Sequence, residues 1–357
     1  EYGDDEAALN CFNKMQIEGV TPNTHTMVCI LRACGSTVDV GKGLEIHAHM
    51  EKKGWLDSDV AVGTALLDMF IKCGLLPEAH KIFSTLHFRD VVSWTTLIGG
   101  FVQFGHAAEA LELFDKMRIE GISPDAISFI YVLKACNSVQ AREKVNEILI
   151  EIERKGLVAN DLIIGATLVD TYFKCGFVLK AREMFEKLPI RSVLTWTSMI
   201  SGYAEHGYVH EALQCFEQMQ VQGISPNSVT YIFGLKACAN IGALQRGQEI
   251  HAEIERFGLL ENDLLGNAVV DMYAKCGSLH IATRVFRMLP IRGVASYNSL
   301  MSGYTQLGEP ENTLCLYDRM LKENIKPDSV TFVIVLNACG QANLLEIGQT
   351  HFEAMEK

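Results

Sequence analysis

The tripeptide Lys-Cys-Gly stands at residues 72–74, again at 174–176 and again at 275–277, at intervals of 102 and 101. Ala-Cys pairs ending at Cys34, Cys136, Cys238 and Cys339 keep step at 102, 102 and 101. So do Trp94, Trp196 and Tyr297, and the turn elements around Pro22, Pro124, Pro226 and Pro327. A chain that repeats at a fixed period solves one packing problem many times over. A unit too small to bury its own apolar face stacks on its neighbours and shares a continuous core.

Within each period the residues divide into three related units of 35, 36 and 31. The first kind spans 91–125, 193–227 and 294–328, with 1–23 as the back half of another. The second kind spans 24–59, 126–161 and 228–263, with 329–357 truncated, and the third spans 60–90, 162–192 and 264–293. Each unit reads as two helices. In 91–125 the first is expected from Ser93, as N-cap, to Phe104, with Gly105 as a left-handed stop. The second runs from Ala107 to Glu120 with Ala110, Leu113, Phe114 and Met117 on one face, and Gly121 and Pro124 end it. Gly100 and Ala110 are expected to let the paired helices approach closely. The fold class is all-α, an α-solenoid of about twenty-one helices.

Composition narrows the function. No apolar run reaches the roughly 18 residues of a membrane helix. The eleven cysteines include no C-x-x-C and most recur in repeated contexts, as buried thiols in a reducing compartment do. The first residue is Glu1, inside a helical pattern, so the piece is expected to be a fragment with any targeting peptide outside it. The string His251-Ala252-Glu253 matches half of a zinc deaminase signature, but no C-x-x-C follows and it sits within a second helix. No metal-ligand set, phosphate loop or nucleophile elbow is present, so neither catalysis nor a cofactor is expected. The net charge of −12 is awkward for nucleic-acid binding, where phosphate neutralisation dominates affinity.

The strings "GISPD" and "NIKPD", "VLKAC" with "GQEIHAEIERFG", and "NAVVDMYAKCG" with "ATRVFRMLP" resemble the P, L and S motifs of the pentatricopeptide repeat family, specifically its plant P-L-S subclass. Tetratricopeptide repeats, with a period of 34 throughout, fit neither the spacing nor the residues. The resemblance implies a right-handed superhelix that binds single-stranded RNA, one unit to one nucleotide, with the RNA 5′ end toward the protein N-terminus. It also implies a mitochondrial or chloroplast location, and editing or processing factors as further partners.

In that family the fifth and last residues of a unit read the base, and an aliphatic second residue packs on its face. Asp at the last position only accepts and suits G or U; Asn donates and suits A or C. In the family Thr at the fifth position goes with purines and Asn with pyrimidines. Carried onto this chain, Thr64 with Asp90 and Thr95 with Asp125 imply G, Thr197 with Asn227 implies A, and Asn298 with Asp328 implies U. Asn267 with Gly293 leans to a pyrimidine, and Ala166 with Ser192 leaves its base open. The L-type units carry apolar Val28, Ile130, Ile232 and Val333 at the fifth position and are expected to space rather than specify. Base-packing falls to Ala61, Val92, Leu194 and Ala295. The resulting footprint is 5′-G-G-N-N-A-N-Y-U-3′.

Lys72, Lys174 and Lys275 occupy one point of every S-type first helix, where the resemblance implies contact with RNA phosphate. A cation at a helix C-terminus meeting the dipole is an equal reading. For Arg32, Lys134 and Lys236, whose series Asn337 breaks, the dipole reading is preferred. The acidity is expected on second helices, at Glu109, Glu112, Glu183, Glu211 and Glu217. Two further functional classes stand beside RNA reading: a protein-interaction scaffold, and a degenerate tract that spaces flanking domains.

Overall fold

The computed structural model describes residues 5–139, 141–159 and 161–355. The chain divides into two compact units, Glu1–Cys175 and Gly176–Lys357. In the first, the helices are α1 (Asp5–Ile17), α2 (Thr24–Thr37), α3 (Val40–Lys53), the single turn α4 (Trp55–Ser58), α5 (Val60–Lys72), α6 (Leu76–Thr85), α7 (Val91–Gln103), α8 (Ala107–Ile119), α9 (Ala126–Val139), α10 (Arg142–Arg154) and α11 (Leu162–Lys174). In the second they are α12 (Val178–Lys187), α13 (Val193–Glu205), α14 (Val209–Val221), α15 (Ser228–Ile241), α16 (Leu244–Arg256), α17 (Asp263–Lys275), α18 (Leu279–Met288), α19 (Val294–Gln306), α20 (Pro310–Lys322), α21 (Ser329–Gln341) and α22 (Leu345–Met355). Among the described residues there is no strand, and all helices but α4 have ten residues or more.

Both compact units are built alike, in two layers. First helices pack on the next first helix: α2 on α5, α7 and α9 in turn, and α13 on α15, α17, α19 and α21 in turn. Second helices cover the seams from behind, as α8 does between α7 and α9 and α14 between α13 and α15. The S-type second helices α6 and α18 have 10 residues where P-type α8 has 13, which accounts for most of the shorter repeat. They stop at Leu86 and Leu289, buried residues in extended conformation. Each leucine packs where a glycine of the paired first helix leaves room: a Cβ on Gly63 or Gly266 would lie 2.6 Å from it.

Three details differ from the sequence reading. Gly100 does not open the α7–α8 contact; it faces the preceding first helix, where a Cβ would meet Ile71 of α5 at 2.7 Å. The L-type units close with an extra turn after their two helices, at α4, at Leu157–Ala159 and at Leu259–Glu261. The helix α17 begins at Asp263, one residue before the boundary drawn from sequence, which makes Asn267 its fifth residue.

The recurrent aromatic is explained by packing. Trp94 meets Phe83 edge-on at 4.6 Å between ring centroids, and Trp196 meets Phe185 at 4.7 Å. Tyr297 keeps the contact with Phe286 at 4.8 Å and directs its hydroxyl to Glu323 at 2.7 Å. Each phenylalanine also lies under an arginine, Arg89, Arg191 or Arg292, at 5.1, 4.8 and 5.8 Å. Edge-to-face and cation–π geometry adds to the area these rings bury.

The Ala-Cys thiols lie in the core, and burial pushes Cys34 up to about 11 and Cys136 and Cys238 up to about 12. Because the thiolate is the reacting species, these groups are inert in the folded chain. Ellman's reagent at about pH 8, where an ordinary thiol is partly ionised, is expected to label exposed Cys11, Cys29 and Cys315 promptly. Cys34, Cys136 and Cys238 should react only when guanidinium unfolds the chain and all eleven thiols titrate; prompt native labelling of these three would contradict the packing.

Candidate nucleic-acid interface

The last residue of each unit is the N-cap of the next first helix. Asp90 accepts from Ser93 N–H at 2.8 Å, Asp125 from Ser128 N–H at 2.8 Å, Asn227 from Thr230 N–H at 2.9 Å and Asp328 from Thr331 N–H at 2.8 Å. Helix starts leave N–H groups without partners, and a short side-chain acceptor satisfies them. Ser93 is therefore not the cap expected from sequence but the third helical residue, bonding back to Asp90 in a reciprocal capping box. Ser192 caps more weakly, 3.4 Å from Thr195 N–H, and Gly293 offers no side chain.

In P-type units this cap is joined to the fifth residue through the third residue of the following helix. The Thr95 hydroxyl lies 2.6 Å from the Ser128 hydroxyl, which donates to Asp125 Oδ1 at 2.7 Å. Thr197 lies 2.8 Å from the Thr230 hydroxyl, which donates to Asn227 Oδ1 at 2.9 Å. Asn298 Nδ2 donates to Asp328 Oδ1 at 3.0 Å, and the Thr331 hydroxyl, with one proton, lies 2.7 Å from Asn298 Oδ1 and 2.8 Å from Asp328 Oδ1. Burial raises the Asp328 carboxyl, but bonds from Thr331 N–H, the Thr331 hydroxyl and Asn298 together outweigh it and hold the group below its ordinary value.

S-type units lack the junction. Ahead of α7, α13 and α19 the third-residue hydroxyls of Ser93, Thr195 and Ser296 donate to the cap's main-chain carbonyl at 2.9, 2.8 and 2.9 Å. Thr64 Oγ1 and Asn267 Oδ1 are buried with no bonding partner among the described residues. The structure thus separates two kinds of fifth residue that look alike in sequence.

The second helical residues stand out into solvent. Ala61, Val92, Leu194 and Ala295 are all exposed. Sequence reasoning missed that Ile127, Ile163, Val229, Leu264 and Val330 hold the same position, 48–69% exposed. Their shared 102-residue period was the available signal. The third-residue hydroxyls Ser128, Thr230 and Thr331 were missed as well, and a hydroxyl three residues after Asp or Asn could have marked them.

Lys72, Lys174 and Lys275 are half-exposed, and each pairs with the carboxylate one turn earlier, Asp68, Asp170 or Asp271, at 2.8, 2.7 and 2.8 Å. Arg32, Lys134 and Lys236 are exposed; Lys134 and Lys236 lie over Tyr131 and Phe233 at 6.0 and 5.1 Å. Glu109, Glu112, Glu183, Glu211 and Glu217 fall on second helices. There, acids and bases link neighbouring helices, as in Lys144–Asp115 at 2.5 Å and Arg118–Glu147 at 2.6 Å.

Stacked helical hairpins, each first helix capped by its predecessor's last residue, define a helical-repeat protein. Models described as PPR repeat family match residues 89–138, 191–240 and 292–341, and one described as PPR repeat matches 167–193. A chloroplastic pentatricopeptide repeat-containing protein of Arabidopsis thaliana is 36% identical over 349 residues, 98% of this chain and 36% of that protein. A putative mitochondrial one from the same plant is 30% identical over 352 residues, 98% of this chain and 56% of that protein. The chain thus spans little more than half of either relative at most. The crystal structure of the pentatricopeptide repeat protein PPR10 in complex with an 18-nt psaJ RNA element has the same fold, with a TM-score of 0.73 at 20% identity over 99% of this chain and 58% of that one. This chain belongs to the pentatricopeptide repeat family.

Replacing Asp90 by Ala removes the α7 cap and is expected to cost about 1 kcal/mol, measured as a lower urea midpoint. Asp90→Asn should unfold near the wild-type midpoint, because Asn caps as well as Asp. Equal losses in both variants would assign the effect to charge rather than to the cap.

Proposed function

We propose that this chain binds single-stranded RNA in a sequence-specific way, one base per unit, along the surface of its first helices. The observation that carries the reading is the coupling of fifth and last residues in the P-type units. At Asn298 and Asp328, one amide proton and one carboxylate oxygen are spent on each other, which leaves Asn298 a second N–H and Asp328 its Oδ2. A donor beside an acceptor is the complement of a carbonyl beside an imino N–H, the pairing edge of uracil. The exposed aliphatic row supplies apolar surface for base faces, which every base offers whatever its edge.

The reading assigns Thr64 with Asp90 and Thr95 with Asp125 to G, Thr197 with Asn227 to A, Asn267 to a pyrimidine and Asn298 with Asp328 to U. The footprint is 5′-G-G-N-N-A-N-Y-U-3′, with the units in P-L-S order. The chloroplastic and mitochondrial names of its relatives support a role in an organelle, where the array marks a site for editing or processing and other factors bring the chemistry. Lys72, Lys174 and Lys275 exchange their intrahelical carboxylates for phosphate, an inexpensive exchange because exposed pairs at this spacing contribute only about 0.3–0.5 kcal/mol.

Fluorescence anisotropy tests the function, using labelled G-G-A-A-A-A-U-U RNA in about 150 mM salt, where phosphate contacts are partly screened. Binding should be lost when G-G becomes C-C, and Thr95→Asn should shift the second base from G to U. A folded chain that binds no RNA would refute the proposal. The Lys72/Lys174/Lys275 triple alanine variant should bind more weakly, with a salt dependence shallower by about 2, at roughly 0.7 per lost contact. An unchanged slope would remove the lysines from the interface.

A further inference from the structure

We infer that the third-residue hydroxyl following a P-type unit positions the fifth residue for the base, and that in unit 91–125 Ser128 makes Thr95 meet the base as an acceptor. The inference rests on the RNA-reading function proposed above and names a positioning residue for it. The argument is a count of protons. Ser128 Oγ carries one, and lies 2.7 Å from Asp125 Oδ1 and 2.6 Å from Thr95 Oγ1. An ionised carboxylate has no proton to give, so the Ser128 proton goes to Asp125. The bond between Thr95 and Ser128 must then use the proton of Thr95. Toward a ligand, Thr95 has only lone pairs left.

The consequence is a pair of acceptors, Thr95 Oγ1 and Asp125 Oδ2. Guanine presents two adjacent donors on its pairing edge, the imino N–H and the amino group. Uracil presents one imino N–H between two carbonyls, so the second acceptor would face a lone pair. Asp125 alone cannot separate these bases, since both offer an imino proton. The separation comes from Thr95, and Ser128 gives Thr95 its polarity.

The other two units share the junction, with protons distributed differently. Thr197 gives its proton to Val193 O at 2.7 Å or to Thr230 at 2.8 Å, and again offers only lone pairs. Asn227 Oδ1 is occupied by Thr230 N–H and O–H, which turns Nδ2 outward; acceptor beside donor matches adenine. At Asn298 the Thr331 hydroxyl has one proton for two acceptors, Asn298 Oδ1 at 2.7 Å and Asp328 Oδ1 at 2.8 Å, while Asn298 Nδ2 donates to Asp328 Oδ1 at 3.0 Å and keeps its second N–H for a ligand. A third-residue hydroxyl set against both the fifth and the last residue is common to the three P-type units. In the S-type unit 60–90 it is missing: the Ser93 hydroxyl is spent on the Asp90 carbonyl, and Thr64 Oγ1 has no bonding partner among the described residues to orient it.

The test is anisotropy with the footprint RNA carrying each of the four bases opposite unit 91–125, for wild type, Ser128→Ala and Ser128→Thr. Ser128→Ala is expected to narrow the G-over-U preference at that base about fivefold, the net effect of one hydrogen bond. The G-over-A preference, set by Asp125, and the base opposite 193–227 should be read as before, and Ser128→Thr should keep the wild-type ratios. An unchanged G-over-U ratio in Ser128→Ala overturns the inference, as does an equal loss for all four bases, which marks mere support of the helix. Should the alanine variant fail to fold, the wild type decides: its G-over-U ratio should be larger opposite 91–125 than opposite 60–90, and equal ratios overturn the inference. A wild type without base preference anywhere overturns the RNA-reading function itself, and the inference with it.

Discussion

Much of this structure depends on one hydrogen bond, from the main-chain N–H at the start of a first helix to the side chain of the residue before it. First helices pack against one another in series, and their opening N–H groups need partners of their own. Asp90, Asp125, Asn227 and Asp328 meet that need and so set where each helix begins. The starting point sets the phase of every residue that follows. It turns the second residue outward, the third inward to full burial at Ser93, Ser128, Thr230 and Thr331, and the fifth to the edge of the layer. Gly293 has no side chain to offer, yet α19 still begins at the next residue with Ser296 fully buried and its hydroxyl bonded to the Gly293 carbonyl, so packing also holds the start.

Packing then holds the phase from unit to unit. Close approach within the first layer uses glycines such as Gly100 against Ile71 and Gly303 against Ala274. Across the layers, Trp94, Trp196 and Tyr297 each seat on a phenylalanine of a short second helix. The acidic second helices are partly neutralised by their neighbours, as at Lys144–Asp115, so the charge of −12 is not a uniform repulsive field.

The period made the architecture legible, because tandem stacking is the only way such short hairpins bury their apolar faces. Helix number and the glycine stops followed from it. The start of α7 was misplaced at Ser93, since Asp and Ser are both good caps and a reciprocal box contains one of each. The partner of Gly100 was misjudged because a bare glycine carries no mark of which neighbour comes close. The difference between Thr64 and Thr95 was invisible, because it depends on whether a hydroxyl in another unit spends its proton on a side chain or on the main chain.

The caps also bear on how such an array evolves. Only Oδ1 of Asp125 or Asn227 is engaged in holding the helix, and Asp and Asn satisfy that bond about equally well. Exchanging one for the other alters the outward group from oxygen to amide nitrogen while leaving the fold's own bond in place. With the base-reading role proposed for them, drift at these sites is nearly neutral for folding and steep for ligand choice. A lineage carrying this scaffold can be re-addressed one unit at a time, by single substitutions, without first accumulating stability to absorb them.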